Sequence, residues 1–460
     1  MTASTLANGN GSTSGPLQVL IVGAGLGGLS AAISCTMAGH QVTVLEQASQ
    51  LGEVGAGIQL TPNVTRLLRR WGVYEELAPV AVKPGNIWFR RWQTGEPIGL
   101  TKLVPNFEQQ FDAPYWVVHR AHLHEALVNR AQAVGATLHV NKRVTDIDFD
   151  KSTVTTHDGT VYSSDLILGC DGLKSVTRKH FLGEADLGPR ETPFCAYRST
   201  VPMDLLLADP ELRPLVEKAD LSLWVGEQRH VMSYPISGGK TFNMVLSHPD
   251  DGSATDTPKP QDELLKEMRD NYKGWDPKLT KIISLIDKTT KWKLLAYPPI
   301  DTWRHSNGHY VLMGDACHAM LPYMSQGAAQ AMEDAASLGR CLARAVTRND
   351  IPALTQAYED IRKTRAYQVQ ARSALNGHIW HYPDGPDQRA RDAGMAASLG
   401  DTHYIRCTNQ WSDPATQIWL YNHDAEREAD LFLDNKEAKA GIKVASKSGV
   451  QEMRDAGLLP

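Results

Sequence analysis

An α/β fold is predicted for this chain: a parallel-sheet unit, split in sequence by an antiparallel β-rich insertion and followed by a helical extension. Three observations predict it. A short apolar run, Leu17–Val22, meets a glycine-dense loop and then a helix-like stretch. From about Phe194 the pattern changes to short strand-like runs joined by Gly-containing turns. At Tyr310 it returns to strand, loop and helix.

The totals set the frame. At 460 residues the chain exceeds one simple core, so two domains with an appendage are expected. The expected division is a disordered tail over 1–16, a parallel-sheet domain over 17–193 and 297–375, a β-rich domain over 194–296, and an extension over 376–460. The net charge of −5 gives no signal for nucleic acid or a membrane surface. Six scattered cysteines form no Cys-x-x-Cys pair, so ordinary thiols, a reducing, cytoplasmic location and no metal site are expected. Leu17–Gly39 is uncharged and long enough to be mistaken for a membrane span, but its glycines argue against one. No Lys or Arg precedes Arg66, so a signal peptide is not expected.

Taken in order, Leu17–Val22 reads as a buried parallel strand. The loop Gly23-Ala24-Gly25-Leu26-Gly27-Gly28 follows, then a helix over Leu29–Ala38 stopped by Gly39. His40–Leu45 is a second strand, ending on Glu46. Gly23 allows the tight turn, Gly25 the approach of a pyrophosphate, and Gly28 close packing of helix on strand. The helix N-terminus offers free N–H groups to the phosphates, and Glu46 can accept hydrogen bonds from a ribose. The unit points to an adenine dinucleotide without separating FAD from NAD.

Gly52, Gly55 and Gly57 suggest a loop whose backbone passes close to something. Pro62 then opens a helix over Asn63–Trp71, with Thr61 as its N-cap. Residues 84–115 mix strand-like pieces with turns at Gly95 and Pro97. Arg120 stands at the mouth of an amphipathic helix, where it is either a phosphate contact or a surface charge. Residues 137–168 read as three strands with a hairpin at His157-Asp158-Gly159. The last of them leads to Asp171-Gly172, placing a carboxylate at the edge of the sheet where ligands sit.

In the β-rich domain, Leu221–Val225, Arg229–Ile236 and Thr241–Ser247 form a meander, with helices at Gln261–Tyr272 and Lys278–Ile286. Positions 230, 232 and 234 share one strand face, so His230 and Tyr234 look toward one cavity, too far apart for a direct bond. The competing reading is a half-buried face with a structural tyrosine. After Tyr310–Met313 a strand delivers Asp315, and a helix opens at Gly327-Ala328 with small residues suited to touching a ligand. Residues 354–377 are helical, and Pro383–Pro386 is a break. The remainder is expected to be a packing arm or subunit contact, with a homodimer as one outcome.

Gly23–Gly28 with Glu46, Asp171-Gly172, and Gly314-Asp315 with Gly327-Ala328 stand in a set order. Together they closely resemble the single-component FAD-dependent aromatic hydroxylases, the salicylate-hydroxylase-like flavoprotein monooxygenases, over roughly residues 17–375. The resemblance implies a Rossmann-type FAD-binding domain carrying an inserted substrate domain. It implies that Glu46 holds the adenosine ribose and that the Gly55–Gln59 loop, with Gly57 and Gln59, passes by the flavin. Arg120 would contact the pyrophosphate, Asp171 would serve both FAD and the nicotinamide donor, and Asp315 would bind the ribityl and pyrophosphate region. Gly327 and Ala328 would face the flavin. FAD would be tight and non-covalent, because the family's covalent attachments use a Cys or His and none stands at a matching place. No second Rossmann motif is present, as the family leads one to expect for NAD(P)H as co-substrate.

Ala196-Tyr197-Arg198 and His230–Tyr234 resemble positions used by phenol-hydroxylating relatives. The implied reaction is hydroxylation of a small phenolic substrate by O2 through a flavin hydroperoxide. An electrophilic oxygen needs an electron-rich ring, and a phenol's pKa is near that of Tyr, about 10. Arg198 is therefore the candidate to hold the phenolate, Tyr234 to orient it or relay a proton, and His230 to support. A salicylate would lose CO2, and a polyketide-derived phenol would be dearomatised. An alkene epoxidase and a flavin-binding protein without turnover are the alternatives. An NAD dehydrogenase is disfavoured by Gly314-Asp315.

Overall fold

The computed structural model describes residues 15–52, 57–252, 259–400 and 404–438. The expected tail up to residue 14, Gly55, and the chain beyond 438 lie outside the described residues.

Short, mainly apolar strands need cover on both faces, which favours a parallel sheet flanked by helices. Five such strands pair in the order Tyr310–Leu312, Leu166–Gly169, Gln18–Val22, Gln41–Leu45, Thr137–His139. All four pairings are parallel, with Ile21 opposite both Leu168 and Val44. Because the strands run the same way, the loops that follow them emerge at one edge. That edge carries Gly23, Glu46, Asp171 and Asp315 together.

The helix after the first strand spans Leu26–Met37, starting three residues earlier than the sequence pattern suggests. Gly39, at φ 95°, ends it, its N–H bonding Thr36 O. This helix packs against Gly327–Leu342, and glycines on both let them approach. A Cβ on Gly27 would lie 3.2 Å from that of Ala331, and one on Gly339 would lie 1.9 Å from Ser34 Oγ.

Residues 137–169 hold five strands, not three. The hairpin at 157–159 is present, but a second turn lies at Asp148–Ser152, with Ser152 at φ 51°. Val144–Asp148, Thr153–Thr156 and Val161–Ser163 thus form a separate small antiparallel sheet.

The second large sheet has seven strands, ordered Thr289–Ala296, Arg190–Pro202, Thr241–Pro249, Arg229–Ile236, Leu221–Gly226, Asn86–Arg91, Pro97–Lys102. The meander is as expected. The last two strands come from residues the sequence pattern grouped with the nucleotide-binding part; Asn86–Arg91 runs parallel to Leu221–Gly226. The sheet is buried on both faces, so its side chains divide with period two. Leu223, Met232 and Tyr234 enter one core, while Trp224, Val231 and Tyr197 enter another beneath the helices Gln261–Asn271 and Pro277–Ser284.

A helix of 30 residues, Ile351–Trp380, runs back along the molecule and leads into Pro386–Ala396, Pro414–Tyr421 and Ala425–Ala438. The extension packs on the rest of the chain: Arg91 bonds Asp384 at 2.5 Å, and Arg70 bonds Asp424 at 2.6 Å. Among the described residues no helix is long and apolar enough to cross a membrane.

Four charged side chains are buried where the long helix meets Gly327–Leu342. Arg362 lies 2.8 Å from Asp334 and 2.7 Å from Glu333, and Arg365 lies 2.7 Å from Glu333. Asp334 also accepts from Gly314 N at 3.0 Å and from His318 Nε2 at 2.6 Å. Glu333 accepts from Asn63 Nδ2 at 2.7 Å. Charges so buried persist only when paired and hydrogen-bonded. Here they tie the Gly314-Asp315 loop and the start of helix Pro62–Arg70 to one helix.

Candidate active site

The glycine loop is shaped as a phosphate cradle. Gly23 has φ 103°, and a Cβ there would lie 2.6 Å from Cys170 O. A Cβ on Gly28 would lie 2.0 Å from Gly23 O, so any side chain would push the helix off the strand. Gly25 faces open space, with nothing within 4 Å of its would-be Cβ. It precedes the helix with no side chain capping the first N–H groups, which leaves those donors for an anion.

Glu46 already has backbone partners. Its carboxylate accepts from Ala24 N and Ala48 N, each at 2.8 Å, and so pins the glycine loop. Carboxylate oxygens have further lone pairs to offer. Asp171 behaves otherwise. Ser175 Oγ, Thr177 Oγ1, Val176 N and Thr177 N all donate to it, at 2.6–2.9 Å. Its carboxylate caps the helix Val176–Leu182 and shapes its own loop, and the neighbouring Leu173 is the one that lines the cavity.

Gly57–Leu60 pairs antiparallel with Trp116–His119, Gly57 opposite His119, which brings Gly57 and Gln59 beside Arg120. Arg120 is the first residue of helix Arg120–Val134, whose N-terminus is capped by His119 Nδ1 accepting from Ala121 N at 3.1 Å. Thr61 stands at the N-cap of its helix, but its hydroxyl makes no capping bond; it bonds Asn63 and receives Gln326 Nε2. Asp315 is exposed and follows Gly314, whose φ of 61° turns the strand sharply toward the cavity. The helix Gly327–Leu342 opens on the same space with no side-chain cap, presenting Gly327 and Ala328.

Several of these groups meet at a cavity of about 380 Å³ beside the seven-stranded sheet. Gly57, Gln59, Arg120, Asp315, Gly327 and Ala328 line one part. Arg198, His230 and Tyr234 line the other, so the structure brings all three catalytic candidates together with six of the eleven cofactor candidates. Gly23, Gly25, Gly28 and Glu46 lie at the sheet edge beyond the cavity lining.

Arg198 sits with its guanidinium 4.7 Å from the Trp292 ring centroid, a cation–π contact that holds its plane. Tyr234 is buried, and burial pushes its hydroxyl up to about 12, partly offset by the Arg198 charge and a hydrogen bond with Gln59. Tyr115 donates to Gln59 Oε1, which leaves the Gln59 amide NH2 to face Tyr234. His230 is also buried; its Nδ1 lies 2.8 Å from His381 Nε2. Burial and the neighbouring His381 hold it well below the ordinary imidazole value, so it is neutral. Tyr197, by contrast, faces away from the cavity: it donates to Glu267 and stacks on His248.

The sequence pattern did not single out Trp292, Tyr323, Trp380, Trp411 or His381. Four of these form the aromatic wall of the cavity, and His381 backs His230. Trp380, His381 and Trp411 belong to the extension. Its density of tryptophans was the available signal.

The residues present fit a flavin dinucleotide: an open glycine cradle, an acid at the second strand's end, an Arg and an Asp on the cavity rim, and an uncapped helix start. Comparison with known proteins agrees. A family model described as FAD binding domain matches residues 16–373. The chain is 38% identical to the FAD-dependent monooxygenase OpS4 of Beauveria bassiana, covering 92% of this chain and 99% of that one. It is 35% identical to a 6-hydroxynicotinate 3-monooxygenase of Bordetella bronchiseptica, over 79% of this chain and 92% of the other. A salicylate hydroxylase substrate complex superposes with a TM-score of 0.74 at 25% identity, covering 95% of this chain and all of that one. The chain belongs to the family of FAD-dependent monooxygenases that includes the aromatic hydroxylases.

Proposed function

We propose that the protein hydroxylates a phenolic ring bearing a carbonyl or carboxylate group, using O2 and NAD(P)H. The observation that carries the reading is Arg198. It is a half-buried cation held flat on Trp292, on the substrate side of the cavity and close enough to Tyr234 to favour an anion there. A guanidinium in that position stabilises a phenolate by charge-assisted hydrogen bonding. Relatives are named for 3-amino-4-hydroxybenzoate, 6-hydroxynicotinate and 3-hydroxybenzoate, all hydroxylated aromatic acids, which supports the substrate class.

FAD would be held non-covalently by the glycine loop, Glu46, Arg120, Asp315 and the helix start at Gly327. When bound and reduced by NAD(P)H, it supplies the activation of O2. The chain's own residues do the rest. Arg198 binds the ring oxygen and lowers the cost of its ionisation. Tyr234 keeps its proton at any working pH, and the Gln59 amide on its oxygen leaves the O–H free to donate to that phenolate or return a proton. Trp292, Tyr323, Trp380 and Trp411 exclude water and hold the ring plane.

The test is a panel of hydroxylated aromatic acids and alkylated phenols, screened for stimulated NAD(P)H oxidation by the yellow holoenzyme. Products are weighed by mass spectrometry for gain of one oxygen, with or without loss of CO2. Stimulation with such a product is expected. A holoenzyme that no phenol stimulates, or that oxidises only alkenes, rules the reading out.

A further inference from the structure

His230 and His381 form a buried imidazole pair, Nδ1 to Nε2 at 2.8 Å, across 151 residues of sequence. His381 is packed between the rings of Phe194, Tyr323 and His230, with centroids at 4.7, 5.6 and 5.1 Å. Neither ring is charged: burial lowers both, to about 3 for His381, where the Arg391 cation adds to the effect. Two neutral imidazoles sharing one hydrogen bond must divide the roles, one donating and one accepting. The rest of the pair decides which.

His381 Nδ1 is buried and has no hydrogen-bond partner among the described residues. If His381 carried its proton there, a buried N–H would be stranded. With the proton on Nε2, only a lone pair is left over, the less costly defect. His381 Nε2–H then donates to His230 Nδ1, which must be the bare nitrogen. His230 therefore carries its proton on Nε2. With Nδ1 committed to His381, Nε2 is the nitrogen left to meet a ligand in the cavity that His230 lines.

The geometry points to His381 as a positioning residue that locks His230 in the Nε2–H tautomer, so that His230 donates one hydrogen bond to an acceptor oxygen of the substrate. The idea rests on the aromatic-hydroxylase reading and refines its substrate class. Pairing sets Arg198 opposite Val245 and Val245 opposite Met232, with His230 two residues from Met232. Arg198 and His230 thus spring from strands roughly 10 Å apart on one face. They reach different ends of a ring. One end is the phenolic oxygen at Arg198, and the other a carbonyl or carboxylate oxygen at His230.

The test reads the tautomer directly. Holoenzyme labelled with 15N-histidine is examined by long-range 1H–15N spectra, which separate Nδ1–H rings from Nε2–H rings, with His230→Gln identifying the His230 signals. His230 is expected as Nε2–H in the wild type and in His381→Gln, whose amide can still donate. In His381→Leu its signals should move toward a mixture of tautomers. With the fastest phenol from the screen, His381→Leu should raise KM about tenfold with kcat within about twofold, and His381→Gln should recover most of the loss. An Nδ1–H His230 in the wild type, or an unchanged tautomer and KM in His381→Leu, overturns the proposal. If the wild type turns over no phenol, the functional reading falls and the tautomer spectrum alone decides this one.

Discussion

Replacing Arg362 by Met removes one charge from the buried network while keeping much of the volume. The wild-type guanidinium is fully buried and donates to Asp334 at 2.8 Å, Glu333 at 2.7 Å and Gln330 Oε1 at 2.7 Å. In Arg362→Met, Glu333 keeps Arg365 and Asn63, and Asp334 keeps His318 and Gly314 N. Asp334 is then left without an arginine partner. Removing one side of a buried pair costs about 3–5 kcal/mol. Unfolding entropy of about 2.1 cal/mol/K per residue amounts to roughly 1 kcal/mol/K for a chain of this size, so Tm should fall by about 3–5 °C. Because Asp334 also holds Gly314 N ahead of Asp315, flavin content should fall with it.

The pH dependence of this gap has a definite sign. Burial pushes both carboxyls up, but Arg365, His423 and Arg362 at Glu333, and His318 and Arg362 at Asp334, outweigh it and hold both below their ordinary values of 4.5 and 3.8. A depressed carboxylate stabilises the fold fully above its unfolded pKa and loses that contribution as pH falls below it. The difference in Tm between wild type and Arg362→Met should be full at pH 7 and shrink below about pH 4. Thermal melts followed by flavin fluorescence, with the flavin-to-protein absorbance ratio, measure both effects. A variant that melts within about 1 °C of wild type at pH 7 and keeps its flavin would refute the role given to the network.

Other outcomes follow from the cavity. Asp315→Ala should lose FAD on gel filtration, and unchanged flavin content would remove Asp315 from the site. Arg198→Ala should keep FAD and fold but lose roughly 10–100-fold in hydroxylation rate, with NAD(P)H oxidation diverted to peroxide; Arg198→Lys should not rescue it, since a point charge lacks the planar fork. Tyr234→Phe should leave the shape of the pH–rate profile between about pH 6 and 9 unchanged, because the hydroxyl is protonated throughout, and should lower coupling instead; a lost basic limb would show that Tyr234 ionises in turnover. Gly57→Ala would place a Cβ 2.3 Å from Tyr234 Cε2, so it should cost about 1–3 kcal/mol in stability and mimic the coupling defect of Tyr234→Phe. Normal coupling in a folded Gly57→Ala enzyme would show that the ring moves freely.

Most of the nucleotide edge was legible because each of its parts is local. Gly23, Asp171 and Gly314 each follow a short apolar strand, and the parallel sheet carries all three to one edge without any further information. The common face of His230 and Tyr234 followed from the two-residue period of a strand. What escaped depends on distant pairing. Asn86–Arg91 reads as an isolated strand-like piece until it meets Leu221–Gly226, and His381 is 151 residues from the ring it supports. The local partners of Asp171 escaped for a different reason. Ser175 and Thr177 stand close by in sequence, yet only the turn at Gly172, with φ 77°, folds their hydroxyls back onto the carboxylate.

One part of the cavity's surroundings comes from residues that the flavin-binding part does not contain. Trp380, His381 and Trp411 all lie beyond residue 373, where the match to the FAD-binding family model stops. Arg198, His230, Tyr234 and Trp292 lie inside that match, so only one wall of the cavity, not the whole of it, comes from a separate stretch of the chain. Single changes at Trp380 or Trp411 would widen or narrow the far wall while leaving the residues of the FAD-binding match as they are. Such an arrangement would let the width of the cavity change without rebuilding the groups proposed to bind the cofactor.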